Sequence, residues 1–226
     1  MHILQNKMRK PLTTAAWCGI FSLIITLVFV SAGFYIWYNN YDDIPKSLDL
    51  IFSLSGIING VLTIYFFYGF ILLGKKFNNK LLVSLTWVSI AFAVFGILLN
   101  LVSSGMNFAS AESHGNFGNL SVEELQNLQA LTTLGFVTII FFIIISIALG
   151  VYYIFFGIAI RKMKDKLKLA NTTGILNIVA GATLIILVGY LILLIAYIFE
   201  IMLMFEAAGK FENKKSKSLK SEKQQI

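Results

Sequence analysis

Residues 181–208 read GATLIILVGYLILLIAYIFEIMLMFEAA and end an apolar block that begins at Leu167. Between residues 167 and 208 the only strongly charged side chains are Lys168, Glu200 and Glu206. A helix rises about 1.5 Å per residue, so a single rod over this block would be about 63 Å long. The hydrocarbon core of a bilayer is about 30 Å thick. Whether the block is one helix or two therefore decides how often the chain crosses a membrane and on which side its tail lies.

Positive charge answers the question. Lys and Arg gather at Lys7, Arg9 and Lys10, at Lys75, Lys76 and Lys80, in RKMKDKLK at 161–168, and in the tail from Lys210 to Lys223; of the 18, only Lys46 lies elsewhere. The segments between carry Asp42, Asp43, Asp49, Glu112, Glu123 and Glu124. Cytoplasmic loops are enriched in Lys and Arg, and the bias orients the chain. With the first cluster inside, apolar blocks at 12–38 and 50–74 return the chain to KKFNNK inside. Blocks at 81–103 and 132–160 return it to RKMKDKLK inside. One further crossing would strand the lysine-rich tail outside. Two crossings, over 167–188 and 190–208 with a turn near Gly189, keep it inside. The expected fold is an all-α polytopic bundle of six transmembrane helices arranged as three hairpins. Residues 1–11 form a cytoplasmic N-terminus, 12–208 the membrane domain and 209–226 a basic cytoplasmic tail. Five helices is the alternative, because LVGYL at 187–191 holds no Pro, Asn or Asp to mark a turn.

Composition supports the membrane class. Of 226 residues, 58% are hydrophobic and 13% charged, against about 25% charged in an average soluble domain. Barrel strands alternate apolar and polar residues, whereas these blocks are apolar on every face. Cys18 is the single cysteine, so no internal disulfide is expected. MHILQNKMRK ahead of an apolar run has the outline of a secretory signal. The run at 12–38 exceeds the roughly 7–15 apolar residues of a signal peptide, so it reads as a retained first span.

The helix ends repeat a pattern. FFYGFILLGKKFNNKL at 66–81 and YIFFGIAIRKMKDKL at 153–167 each run aromatics, a glycine, apolar residues, two cations, a hydrophobe, two polar residues, Lys and Leu. EAAGKFENKK at 206–215 is a weaker third copy. A hairpin repeated three times explains this. So does the shared chemistry of aromatic belts followed by lysines. With these returns and the late GYLILLIAYIFEIMLMFEA, the chain resembles small uncharacterised archaeal and bacterial multi-pass integral membrane proteins built from hairpin repeats. The resemblance covers most of the chain, implies the helical fold, and carries over no active residue.

Within the spans, polar residues are few. Glu200 lies ten positions before Lys210, about 15 Å from the cytoplasmic interface. A charged carboxylate there costs about 2.5–3.5 kcal/mol on insertion scales, so it is expected to be protonated or partnered. Asn59, Asn177 and Thr183 are its candidate partners. Glu200, Asn59 and Asn177 are the candidate ion- or proton-binding residues, because intramembrane acids mark ion pathways. The plainer reading is a neutral Glu hydrogen-bonded to the next helix. Glu206 lies one turn before Lys210 and reads as an interfacial pair. In GIING, Gly56 and Gly60 share one helix face, as do Ala170 and Gly174 in ANTTG. Small residues four apart let helices approach closely, within the monomer or across a homo-oligomer face. Lys75, Lys76, Arg161, Lys162, Lys210 and Lys214 are expected to meet anionic lipid headgroups.

The segment 104–131 is expected to be the outer loop. SVEE at 121–124 reads as a capping box that starts the fourth helix near Val122. The tail KFENKKSKSLKSEKQQI is polar and basic and is expected to be disordered. It suits lipid rather than nucleic acid, having no stacking aromatics on a folded basic module. His114 beside Glu112 has no metal-site spacing, so no metal is expected. Nor does the sequence contain HExxH, CxxC or a phosphate-binding glycine loop; neither enzyme activity nor a cofactor is expected. Thin polar content favours a non-catalytic membrane scaffold or accessory subunit, working through lipid and a membrane-protein partner. The alternative is a small transporter or channel-like protein with Glu200 as its protonatable site.

Overall fold

Six helices carry the chain: α1 (His2–Tyr38), α2 (Lys46–Lys76), α3 (Lys80–Ser110), α4 (Val122–Arg161), α5 (Leu169–Thr183) and α6 (Val188–Lys223). They come from a computed structural model, which describes the backbone of residues 2–38, 46–110, 122–184, 186 and 188–223. Side chains are described for 9–36, 38, 51–102, 140–184, 186 and 188–210. Among the described residues there is no strand. Five helices contain stretches long and apolar enough to cross a bilayer: Arg9–Ile36, Ile51–Lys76, Lys80–Val102, Ile140–Arg161 and Val188–Lys210.

The long block of 167–208 is two helices. α5 ends at Thr183 and α6 begins at Val188, and Gly189 is what lets the chain fold back so closely. A Cβ at Gly189 would lie 2.5 Å from Leu184 Cα and 2.5 Å from Leu184 N. Its φ is not positive, so the need is for space rather than for a left-handed backbone. Two backbone bonds close the turn, Ile186 N–H to Thr183 O at 2.9 Å and Gly189 N–H to Ile186 O at 2.8 Å. The two halves are unequal. α5 has 15 residues, about 22 Å, which is shorter than the hydrocarbon core.

α1 packs on α2, α2 on α3, α4 on α5 and α5 on α6, and α6 packs back on α1; among the described residues α3 meets α4 more sparingly. The buried core lies at one end of this ring. It joins Leu12 and Ala16 at the start of α1, Phe66, Phe70 and Leu73 at the end of α2, and Leu82 at the start of α3. Phe156 and Ile160 close α4, Ala170 opens α5, and Leu203, Met204 and Ala207 come from α6. The N-terminal ends of α1, α3 and α5 thus meet the C-terminal ends of α2, α4 and α6, as an antiparallel succession requires. This is the lysine-rich end. Toward the other end, burial stops at Ser22 on α1, at Phe66 on α2 and at Ile90 on α3 among the described residues. Beyond these points Phe34, Phe92, Phe95, Leu98 and Phe141 are exposed, as side chains facing lipid are.

Local chemistry sets the turns at the packed end. In KKFNNK, Asn78 takes a left-handed backbone (φ 54°), which Asn tolerates better than most residues. Asn79 N–H then reaches Gly74 O at 2.8 Å, the six-to-one bond of a Schellman ending. Asn79 also caps α3: its Oδ1 accepts from Leu82 N–H at 3.2 Å, and its Nδ2 donates to Ala159 O of α4 at 2.7 Å.

Glu206 caps rather than pairs. Its Oε1 accepts from Lys168 N–H at 2.6 Å and its Oε2 from Leu169 N–H at 2.9 Å. Lys210, expected as its ion partner, donates from Nζ to Lys166 O. The free N–H groups at the start of α5 suit a carboxylate through both hydrogen bonding and the helix dipole. Glu206→Ala is expected to lower stability by about 1–2 kcal/mol, the range for losing an N-cap. The check is the unfolding midpoint in a denaturing-detergent titration, and a shift within error would remove the cap from the account.

α4 runs from Val122 to Arg161; the expected capping box at 121–124 lies outside the residues whose side chains are described, as do His114 and Glu112. α6 runs through the basic segment to Lys223, where composition alone favoured disorder. Lys, Glu and Gln are good helix formers, and a preformed helix spares them the nucleation step.

Candidate functional site

Two polar clusters border one cavity, the second reaching it through Glu200 alone. The first joins α1 to α2. Ser22 and Thr26 sit one turn apart on α1, Asn59 and Thr63 one turn apart on α2. Ser22 Oγ donates to Asn59 Oδ1 at 2.7 Å and lies 3.0 Å from Thr63 Oγ1, and Asn59 Nδ2 donates to Thr26 Oγ1 at 3.2 Å. The second joins α5 to α6. Asn177 Nδ2 donates to Thr173 O at 3.0 Å and to Glu200 Oε1 at 2.8 Å. Asn177 is 0% exposed and Glu200 3%. Both amide hydrogens of Asn177 are engaged, which orients the carboxyl.

The cavity holds about 270 Å³ and is lined by Ser22, Leu23, Thr26, Asn59, Thr63, Phe67, Tyr153, Leu193, Tyr197 and Glu200. No Lys, Arg or His is among them. The Tyr197 hydroxyl is buried, with the Ser22 side chain beside it. By helical rise, Glu200 is about 15 Å from Lys210, Tyr153 about 12 Å from Arg161 and Ser22 about 18 Å from Lys10, so the cavity lies well along the helices from the lysine-rich end. An aromatic cluster closes it from the lysine-rich end. The Phe70 and Phe156 ring centroids are 5.3 Å apart, Phe66 and Phe70 meet edge-on at 5.5 Å, and Phe66 lies 4.8 Å from Tyr197. Beside it, Tyr152 O–H pairs with Ser89 Oγ.

Of the residues singled out from the sequence, Glu200 and Asn177 are directly bonded and Asn59 lines the same cavity from the opposite wall. Asn59 makes no bond to Glu200. Thr183, the third partner considered, bonds back to Val179 O at 2.7 Å near the end of α5. Ser22, Thr26, Thr63, Tyr153 and Tyr197 were not singled out. The one-turn spacing of Ser22 with Thr26 and of Asn59 with Thr63 was the available signal; isolated hydroxyls and tyrosines in apolar runs otherwise resemble packing.

The small residues lie between helices of the monomer. Gly56 faces the Asn100 side chain and Gly60 faces Ile97, both on α3. Gly174 meets Gly157 O of α4, and Ala170 is fully buried beside it. Two glycines not singled out, Gly150 and Gly181, make the same contact two turns away. Lys75, Lys76, Arg161, Lys162 and Lys210 are exposed around the packed end; the Lys214 side chain lies outside the described residues. Among the described residues no cluster of three His, Cys, Asp or Glu suits a metal. No family model, curated protein or solved structure matches the chain.

Proposed function

We propose that this multi-pass membrane protein is a small transporter or channel-like protein that takes a proton or a monovalent cation at Glu200, with both termini and the lysine-rich end in the cytoplasm. One observation carries the reading: a buried carboxyl lines a cavity that holds no positive side chain, at a distance from the lysine-rich end that would place it near mid-membrane. An isolated carboxylate at that depth is costly, so its charge calls for a partner that arrives with the solute. A single carboxyl suits one positive charge. Sites near the bilayer midplane, closed on one side by packed helices, are where secondary transporters bind. The orientation rests on the positive-inside bias. We propose no reaction and no cofactor.

The test is flux in proteoliposomes. Wild-type protein is expected to carry a proton or alkali-cation current above that of empty vesicles, and Glu200→Gln is expected to reduce it to background. Equal flux in wild type and variant would end the reading. A scaffold role is the other outcome: a flux-silent protein that co-purifies with a partner or a second copy would support it.

A further inference from the structure

We infer that the Glu200 cavity takes a small organic ammonium ion, such as a methylated or short-chain alkyl amine, rather than a bare metal cation. This rests on the cation-binding reading above and narrows it. The lining combines one carboxyl with the side chains of Phe67, Tyr153 and Tyr197 and the apolar Leu23 and Leu193. Aromatic faces attract an ammonium through the ring quadrupole, most strongly where water is excluded, and they tolerate its alkyl groups. A bare alkali cation instead needs a shell of oxygens to replace its hydration. Here the oxygens of the α1–α2 wall are committed to one another: Asn59 Oδ1 accepts from Ser22, and Thr26 Oγ1 accepts from Asn59. Volume points the same way. About 270 Å³ far exceeds a bare ion and falls just under the roughly 300–1,000 Å³ of pockets for drug-sized ligands.

The experiment is titration calorimetry of the full chain in lipid nanodiscs, with ethylammonium, tetramethylammonium, sodium and the uncharged tert-butanol as probes. Saturable binding of an ammonium probe is expected, with none for tert-butanol and loss of binding in Glu200→Gln. Tyr197→Leu is expected to weaken tetramethylammonium about tenfold, the effect of losing one desolvated cation–π face. Tyr197→Phe keeps the ring and should bind tetramethylammonium more tightly than Tyr197→Leu. Each variant is matched to wild type by gel filtration and helical circular dichroism, so a misfolded protein is not scored as a binding loss. Equal weakening by Phe and Leu would overturn recognition by the aromatic face. Saturable, Glu200-dependent sodium binding or proton flux without ammonium binding would overturn the ammonium assignment and leave the cation reading standing. Absence of every Glu200-dependent signal would overturn both.

Discussion

A methyl group added at Gly157 or Gly174 is expected to push α4 off α5 and to lower stability by about 3 kcal/mol, the upper end of overpacking costs. The reason is that backbone stands in the way at both positions, with the Arg161 side chain, 2.3 Å from a Cβ at Gly174, adding to it there. A Cβ at Gly157 would lie 2.4 Å from Gly174 O, and one at Gly174 would lie 2.6 Å from Gly157 O. Seven residues along each helix, a Cβ at Gly150 would meet Gly181 O at 2.6 Å and one at Gly181 would meet Gly150 O at 2.5 Å. The two pairs fall in one antiparallel register, so the helices touch along two turns. At this distance Cα–H groups and carbonyls of opposite helices also attract weakly. A carbonyl cannot rotate aside as a side chain can. Gly56 should tolerate Ala better, because its Cβ would meet the end of the Asn100 side chain at 3.0 Å; Gly60, 2.4 Å from Ile97 Cγ1, should fall between. Gly33 and Gly96 have nothing within 4 Å, and Ala there should be neutral or should stabilise by up to about 1 kcal/mol through helix propensity. The double variant Gly157→Ala with Gly174→Ala should cost clearly less than the sum of the two, because one separation of the helices makes room for both methyl groups. Detergent-titration midpoints measure all of these. Additive costs, or a Gly157→Ala effect no larger than that of Gly96→Ala, would mean that α4 and α5 do not touch through their backbones.

The helix count was legible because two independent signals agreed. The 167–208 block is too long for one crossing, and the tail lysines argue for a break within it; the structure has two helices there, of which α6 is long and apolar enough to cross. Where the turn falls was less legible. Gly189 is the right residue, but it acts through the space beside Leu184 rather than through turn chemistry, so the break precedes it. The shortness of α5 follows from that shift. Glu206 was misassigned to Lys210 because spacing along one helix says nothing about the N–H groups that another helix presents across the bundle. The same limit hid half of the candidate site. Glu200 and Asn177 stand out as polar residues in apolar helices, but only the packing of α1 against α2 and α6 brings Ser22 and Thr63 into the cavity that Glu200 faces. Tyr197 illustrates the difficulty. Tyrosine is common in membrane helices as an interfacial anchor, and only its burial and its place in the cavity lining distinguish it. The glycines were half legible. Spacing of four marks Gly56 and Gly60, whereas the matched spacing of seven on α4 and α5 needs both helices at once.

Glu200→Gln is expected to abolish ion handling while leaving stability at or above wild type, and that combination separates a binding group from a structural one. Glutamine has the shape of glutamic acid and keeps a carbonyl oxygen where Glu200 Oε1 accepts from Asn177 at 2.8 Å. It removes only the capacity to hold a proton or a charge. Glu200→Leu removes the acceptor as well and leaves a buried amide hydrogen of Asn177 unpaired, at a cost of about 1–3 kcal/mol. Asn177→Leu leaves the carboxyl without its donor and should destabilise by a similar amount. The double Leu variant should recover part of the loss, because replacing both partners of a buried polar pair is milder than orphaning one. The direct Asn177–Glu200 coupling should be modest, about 0.6 kcal/mol, as for interhelical hydrogen bonds in membranes generally. A scaffold role makes the opposite forecast for the key variant: Glu200→Gln would alter neither stability nor any transport measurement. A large stability loss in Glu200→Gln would instead show the ionised carboxylate itself holding α5 to α6. Because a gain or retention of stability with loss of function is the signature of a group kept for activity rather than for folding, midpoint and flux measured on the same Glu200→Gln preparation decide among the three.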